Sequence, residues 1–178
     1  MAVYCGHQMG NNPEFERDAK KLGELMAKNK IRLIFGGGNV GLMGAIASAV
    51  IENKGEVIGI STENVTARQE PPIDGAKIEI VGGLNERKQK MIELSNAFCI
   101  LPGGIGTLNE LTDIMTMQQV GESKKPIYFM NTDKYWDIFG NVLVHMQDQG
   151  FISSMNEYKI TVFETPEQVI EAFNQKDE

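Results

Sequence analysis

The chain has 178 residues, of which 42% are hydrophobic, and a formal net charge of −7. This length and apolar content suit one domain with its own core, so we predict a single domain over residues 1–178. Nucleic-acid binding by counterion release requires a clustered basic face, so the acidic balance argues against DNA or RNA as a partner.

Membrane insertion and secretion are not indicated by the sequence. No stretch approaches the roughly 20 apolar residues that a membrane-spanning helix needs, and the start MAVYCGHQ lacks the features of a signal peptide. Cys5 and Cys99 each lie in an apolar run without a second cysteine nearby, so we expect buried free thiols rather than a disulfide framework. We therefore expect a cytoplasmic protein that does not bind membranes.

Short apolar runs alternate with longer segments of helical period along the chain. The predicted strands, in chain order, are AVYC, IRLIF, EVIGI, KIEIV, AFCIL, PIYFM and YKITVF. The predicted helices are 13–29, 41–53, 85–95, 107–120, 135–149 and a last one from Pro166. Parallel strands need crossover connections that cover the sheet, so the sequence predicts an α/β fold: a mostly parallel sheet of about seven strands with helices on both faces. The longest irregular stretch, 61–76, predicts an exposed loop.

Two glycine-rich turns each follow a predicted strand and precede a helix: GGGNVG at 36–41 and PGGIGT at 102–107. In an open parallel sheet, the free amides at such helix starts favour anions. Neither turn has the lysine of a P-loop, and the first turn follows the second strand, where a dinucleotide-binding turn would follow the first. The two turns favour a ligand with one phosphate and its attached sugar, although tight strand-to-helix turns alone would also use glycine.

Glu110, just after the second turn, has two interpretations. Thr107 and Glu110 have the spacing of a capping box, in which the hydroxyl and the carboxylate bind free amides of the first helical turn. The spacing alone favours this structural role. The same position also brings the carboxylate to the mouth of the predicted phosphate site, where it could act on a ligand.

The segment GLNERKQKMIEL at 83–94 puts basic side chains on an apolar helix face. The residues that share this inward-pointing face are Leu84, Arg87 or Lys88, Met91 and Leu94. An unpaired buried cation is strongly unfavourable, so Arg87 requires either a structural ion pair or an anionic partner such as Glu110 or a ligand. The residues by themselves leave both open.

His7 follows the first predicted strand and could reach the same edge of the sheet, although a lone histidine is more often a hydrogen-bonded bystander. The two histidines of the chain are far apart and have no cysteine or carboxylate cluster beside them, so we expect no metal site. No Gly-x-Ser-x-Gly motif is present, which argues against a serine hydrolase.

Two motifs carry a resemblance to a known family. PGGIGTLNE at 102–110 is similar to the signature PGGxGTxxE, and NERKQKM at 85–91 resembles the companion segment HERKxxM, of the Lonely Guy family of cytokinin riboside 5′-monophosphate phosphoribohydrolases. The similarity continues in order over nearly the whole chain, through FGGGNVGLMGAIA, QQVGESKKPIYFMN and YWDIFGNVLVHMQDQGFI.

The resemblance implies a Rossmann-like, doubly wound homodimer with its active site near the subunit interface. The implied reaction is hydrolysis of the N-glycosidic bond of a purine nucleoside 5′-monophosphate, which releases the base and ribose 5-phosphate without a metal or organic cofactor. By motif, Arg87 and Glu110 are the implied catalytic residues. The predicted substrate-binding residues are Lys88, Gly103, Gly104, Gly106, Thr107, Gly37, Gly38 and His7.

The chain departs from the family pattern near the predicted site. His7 and Gln8 stand where two serines are common, Asn85 replaces the histidine before Glu-Arg-Lys, and Met117 replaces a tryptophan. These changes leave the preferred base open. They also keep a second hypothesis, a Rossmann-like protein that binds a nucleotide or a phosphorylated cofactor without hydrolysing it.

Overall fold

The computed structural model describes residues 1–67 and 71–175. In these residues the strands are β1 (Ala2–Tyr4), β2 (Leu33–Phe35), β3 (Val57–Thr62), β4 (Lys77–Val81), β5 (Phe98–Ile100), β6 (Ile127–Met130) and β7 (Ile160–Phe163). The helices are α1 (Pro13–Lys28), α2 (Gly41–Glu52), α3 (Glu63–Thr66), α4 (Leu84–Glu93), α5 (Ile105–Gln119), α6 (Asp137–Asp148) and α7 (Pro166–Asn174), with short 3₁₀ turns at Thr132–Lys134 and Met155–Glu157.

All seven strands pair in parallel in one sheet, in the order β4-β3-β2-β1-β5-β6-β7. The order reverses between β1 and β5, because the chain first extends the sheet on one side of β1 and then returns to the other side. Ligands of open parallel sheets bind outside the carboxyl ends of the strands at such a point. The predicted fold class is confirmed. The turns after β1 and β5 lie at this point, so they are the expected position of a ligand.

The core has two layers because side chains of a strand alternate between the faces of the sheet. On one face, strand residues such as Val3 and Leu33 pack with α1, α2 and α7. On the other face, Tyr4 and Phe98 stack with ring centroids 6.0 Å apart and pack with α4, α5 and α6. Helices therefore cover both faces, as the alternation of strands and helices predicts.

Cys5 and Cys99 are buried and form no disulfide, which confirms the sequence interpretation. The predicted loop 61–76 is partly wrong. β3 continues to Thr62, and α3 follows at once because the Thr62 side chain accepts a hydrogen bond from the Val65 amide at 3.3 Å and caps the helix. Residues 68–70 of the predicted loop lie outside the described residues.

Candidate active site

The turns after β1 and β5 are joined by backbone hydrogen bonds. The Gly6 amide donates to the Pro102 carbonyl at 3.0 Å, and the Leu101 amide donates to the Tyr4 carbonyl at 3.0 Å. These bonds continue the pairing of the two strands beyond their ends. The turns after β1 and β5, where the strand order reverses, are therefore held side by side by backbone hydrogen bonds.

The first glycine turn, 36–41, has its helix amides already in use. The amides of Leu42 and Met43, in the first turn of α2, donate to the Gly6 carbonyl at 3.1 and 3.4 Å. Gly41 has φ +61, and a Cβ there would overlap the backbone of His7, so only glycine allows this close approach. This turn supports the loop after β1, and the predicted substrate contacts of Gly37 and Gly38 stay a prediction.

The second glycine turn leaves its helix amides open. The N-cap of α5 is Gly104, with no side-chain hydrogen bond to the helix start, and Leu108 is the residue whose amide closes the first turn, donating to Gly104 at 3.0 Å. The amides of Ile105, Gly106 and Thr107 precede that bond, so they lack intrahelical partners. Gly104 and Gly106 are also exposed. This helix start can bind an anion with its amides and its dipole.

The capping box predicted for Thr107 and Glu110 is wrong. The helix begins two residues earlier than predicted, at Ile105, so Thr107 already lies inside its first turn. The Thr107 side chain is buried, at 3% exposure, and fills the space beside Gly103, where a Cβ would overlap it. The carboxylate of Glu110 is therefore not needed at the helix start and is available to another partner.

That partner is Arg87, from the neighbouring helix α4. Arg87 Nη1 donates to Glu110 Oε1 at 3.0 Å, and each side chain is only 12% exposed. The same guanidinium donates from Nε to the Ile60 carbonyl at 2.9 Å and from Nη2 to the Gly36 carbonyl at 3.4 Å. Two backbone carbonyls thus fix the guanidinium, and the guanidinium fixes the carboxylate. Arg87 therefore faces Glu110, one of the anionic partners that the sequence left open for it.

The carboxyl group of Glu110 has a pKa above its usual range. Burial raises the pKa because it penalises the charged form, while the charge and the hydrogen bond of Arg87 and the charge of Lys88 act in the opposite direction. A carboxylate with a raised pKa is a stronger base than one in water. It accepts a proton more readily, and the two neighbouring cations favour its charged form.

Lys88 lies beside this pair but is directed elsewhere. Its Nζ forms an ion pair with Asp113 Oδ2 at 2.6 Å and donates to Asn109 Oδ1 at 3.1 Å. The ammonium therefore ties α4 to the flank of α5, and its predicted contact with substrate stays a prediction. The inward stripe of α4 is confirmed for Met91, which is fully buried. It is wrong for Leu84, which is 58% exposed at the rim of a cavity, and for Leu94, which is 36% exposed because the helix already ends at Glu93.

Two cavities flank the turn after β1. The larger, about 960 Å³, is lined by His7, the end of β3 with the start of α3 (62–65), and the end of β4 with the start of α4 (80–84). The smaller, about 280 Å³, is lined by residues 6–10, Phe15, Leu42, 102–104 and Tyr135. His7 is exposed and contributes to both cavities. Leu84, the first residue of α4 and three residues before Arg87, also lines the larger cavity.

The sequence interpretation missed two contributors to this site. Asn64, at the start of α3, lines the larger cavity, and Tyr135 lines the smaller one. Tyr135 also donates its hydroxyl to the Gly103 carbonyl at 2.5 Å. A usable signal existed: both residues follow the carboxyl ends of strands, at the edge of the sheet where the glycine turns lie.

No helix within residues 1–67 and 71–175 is both long and apolar enough to cross a membrane. In the same ranges, no group of three or more His, Cys, Asp or Glu side chains is placed to hold a metal ion.

Comparison with known proteins gives consistent results. A family model described as possible lysine decarboxylase matches residues 43–173. The chain is 32% identical over 173 residues to a cytokinin riboside 5′-monophosphate phosphoribohydrolase of Rhodococcoides fascians, covering 97% of this chain and 87% of that protein. It is 35% identical over 153 residues to the cytokinin riboside 5′-monophosphate phosphoribohydrolase LOG of Oryza sativa subsp. japonica, covering 86% of this chain and 63% of that protein.

Among solved structures, the fold is similar to that of the molybdenum cofactor binding protein from the phototrophic bacterium Rippkaea orientalis. The TM-score is 0.71 at 23% identity, and the match covers 99% of this chain and 96% of that one. At this identity the similarity concerns the fold, and a shared fold does not carry a shared ligand.

Proposed function

The chain belongs to the Lonely Guy family, and from this premise we propose that it hydrolyses the N-glycosidic bond of a purine nucleoside 5′-monophosphate to the free base and ribose 5-phosphate. The observation that carries the proposal is the pairing of Arg87 and Glu110 at 3.0 Å. Glu110 stands on the same helix whose open amides suit a phosphate. The names of the two relatives agree with this activity.

Glu110 is proposed to act at the reacting carbon. Breaking the glycosidic bond builds positive charge on the ribose ring, and a buried carboxylate close to the ring stabilises that charge. The same carboxylate can orient and deprotonate the attacking water, for which its raised pKa is favourable because the carboxylate is then a stronger base.

Arg87 is proposed to support the carboxylate and the leaving base. A guanidinium has five N–H donors, and the contacts with Ile60, Glu110 and Gly36 use three of them. The remaining donors can face the departing purine, on which negative charge grows. Because arginine keeps its protons at any physiological pH, this help is electrostatic and does not include proton transfer.

The phosphate is proposed to bind at the start of α5, on the amides of Ile105, Gly106 and Thr107. Binding of this remote group holds the ribose in one orientation, which converts binding energy into alignment at the reacting carbon. The base is proposed to enter the cavity of about 960 Å³ beside His7. The acceptors and donors of that cavity then decide which base is preferred.

We also propose that the protein forms a homodimer with the active site near the interface. Large apolar side chains are exposed at the first residue of α5, where Ile105 is 81% exposed, and on α6, where Ile138 is 77% exposed. Of α6, only Leu143 is buried. Contact with a second copy would cover such surfaces, and light scattering coupled to size-exclusion chromatography measures the resulting mass.

Hydrolysis of a panel of nucleoside 5′-monophosphates, including AMP and isopentenyladenosine 5′-monophosphate, tests the proposal through release of free base. We expect release from at least one purine nucleotide and its loss in Glu110→Ala. Activity that persists in Glu110→Ala would contradict the role of this carboxylate. Binding of the nucleotides without any release of base would support the alternative, a nucleotide-binding protein without hydrolytic activity.

A further inference from the structure

The carbonyl of Gly103, in the turn that precedes α5, is held by a side chain from the neighbouring strand connection. The hydroxyl of Tyr135, shortly after the end of β6, donates to this carbonyl at 2.5 Å. Tyr135 is 40% exposed, and it lines the cavity of about 280 Å³ together with Gly103 and Gly104. The phenol is therefore a partly exposed group at the edge of the candidate phosphate site.

This hydrogen bond sets the direction of an amide as well as that of a carbonyl. In a planar trans peptide, the C=O and the following N–H point in opposite directions. A carbonyl of Gly103 held at Tyr135 therefore directs the Gly104 amide away from Tyr135. Two adjacent glycines leave the peptide between them free to rotate, since neither has a Cβ that restricts its backbone. An external contact is needed to keep one orientation.

The aromatic ring of Tyr135 is itself fixed from two sides. It packs edge-on against Phe15 of α1, with centroids 5.6 Å apart, and against Trp136, with centroids 5.0 Å apart. Phe15 and Trp136 belong to opposite faces of the sheet, so contacts from both helical layers hold the ring of Tyr135 in place. Loss of the hydroxyl alone would leave these ring contacts in place.

The backbone before Tyr135 is strained and supported. Asp133 and Lys134 both have left-handed conformations, with φ of 52° and 58°, which are unfavourable for residues other than glycine. Asn12 donates to Asp133 Oδ2 at 2.8 Å, and Thr132 donates to the buried Asp18 Oδ2 at 2.8 Å. Strain of this kind persists where surrounding contacts enforce it. Here the strained backbone places the Tyr135 hydroxyl next to the glycine turn.

We propose that Tyr135 is a positioning residue for the phosphate site: its hydroxyl locks the Gly103–Gly104 peptide and thereby keeps the Gly103 carbonyl turned away from a 5′-phosphate bound at the open amides of α5. This inference rests on the proposed function and extends it to a residue outside the two sequence motifs. An unlocked peptide could rotate and turn the Gly103 carbonyl toward the phosphate, where two negative groups would repel each other. The hydroxyl therefore contributes to phosphate affinity without touching the reacting carbon.

The test compares Tyr135→Phe with the native protein and with a matched control, Tyr158→Phe. Tyr158 is buried just before β7, at the amino ends of the parallel strands. The phosphate site lies at their carboxyl ends, so the Tyr158 hydroxyl is remote from it. Isothermal titration measures the dissociation constant of ribose 5-phosphate, competition measures the inhibition constant of adenine, and steady-state kinetics with AMP measure kcat and KM.

In Tyr135→Phe we expect the ribose 5-phosphate dissociation constant and the KM for AMP to rise about tenfold, the effect of one lost hydrogen bond. The adenine inhibition constant and kcat should stay within about twofold of the native values, and Tyr158→Phe should change none of the four quantities by more than that. A purely structural role would change adenine and ribose 5-phosphate binding together.

Unchanged ribose 5-phosphate affinity in Tyr135→Phe, or equal weakening of both ligands, would overturn the inference. A native protein that binds ribose 5-phosphate but releases no base from AMP or from the wider nucleotide panel would refute the proposed reaction alone, because the binding arm still tests the lock. A native protein that binds neither ribose 5-phosphate nor AMP would remove the phosphate site and the lock together.

Discussion

Replacing Arg87 by methionine tests whether the ion pair keeps Glu110 in its charged form. Methionine has a similar length and fills the same space, but it carries no charge and donates no hydrogen bond. Burial raises the pKa of Glu110, and Arg87 is the strongest opposing influence. Without the guanidinium, the carboxyl group should hold its proton to a higher pH.

The size of the effect follows from the geometry. An opposite charge within hydrogen-bonding distance lowers a carboxyl pKa by about 1–3 units. The two side chains are 3.0 Å apart and each 12% exposed, so water screens their interaction only weakly. Since the proposed reaction needs the charged carboxylate, we expect the acid limb of the profile of log kcat/KM against pH to move upward by roughly one to two pH units in Arg87→Met.

The assay is release of base from AMP, or from whichever 5′-monophosphate in the panel is hydrolysed, between pH 4 and pH 9. Lys90→Met is the matched control, because Lys90 stands on the same helix and pairs with Glu79 at the surface, away from Glu110. Where Arg87→Met is too slow for a full profile, carbon-13 NMR of labelled glutamate titrates Glu110 directly. A folded Arg87→Met protein with an unmoved acid limb and an unmoved Glu110 titration would refute the reasoning.

Four further substitutions separate activity from stability. Burial raises the pKa of Glu110, so the stability that this group contributes is complete below its unfolded pKa and is lost as pH rises through the folded one. In Glu110→Gln this pH dependence of stability in urea should disappear, and kcat/KM should fall about 10²–10⁴-fold. In Gly36→Ala the new Cβ would displace the movable Arg87 guanidinium, so we expect roughly a tenfold to hundredfold loss of kcat with a nearly unchanged melting temperature. Gly41→Ala combines φ +61 with overlap of rigid backbone and should lower the free energy of unfolding by about 2 kcal/mol or more, whereas Gly140→Ala, in open space on α6, should raise it by about 0.5–1 kcal/mol. A Glu110→Gln protein with the native pH dependence of stability, a fully active Gly36→Ala or a fully stable Gly41→Ala would each contradict the corresponding contact.

Much of the fold could be predicted from local pattern. The seven strands and the six longer helices match the alternation of short apolar runs and helical periods, because burial on both faces of a parallel sheet demands that alternation. The start of α5 was misplaced by two residues. Its N-cap is a glycine without a side-chain bond to the helix, so the usual sequence signal of a helix start is absent there.

The sequence predicted which residues belong to the candidate site better than it predicted how they contact one another. The basic stripe of α4 required an anionic partner for Arg87, and Glu110 was a candidate on chemical grounds. The carbonyls of Ile60 and Gly36 that orient the guanidinium lie 27 and 51 residues away from Arg87 in the sequence, and no local pattern predicts these contacts. The same holds for Tyr135, which reaches Gly103 across 32 residues.

The sequence by itself determined the class of fold, the two glycine turns and the need of Arg87 for an anionic partner, because each depends on short-range periodicity or on side-chain chemistry. Only the tertiary structure decided that the amides of α2 are occupied while those of α5 are open, and that Arg87 meets Glu110. These contacts depend on the strand order β4-β3-β2-β1-β5-β6-β7, which brings β1 and β5 together from distant parts of the chain. Strand order depends on the packing of the whole sheet, so it cannot be predicted from any single segment of the sequence.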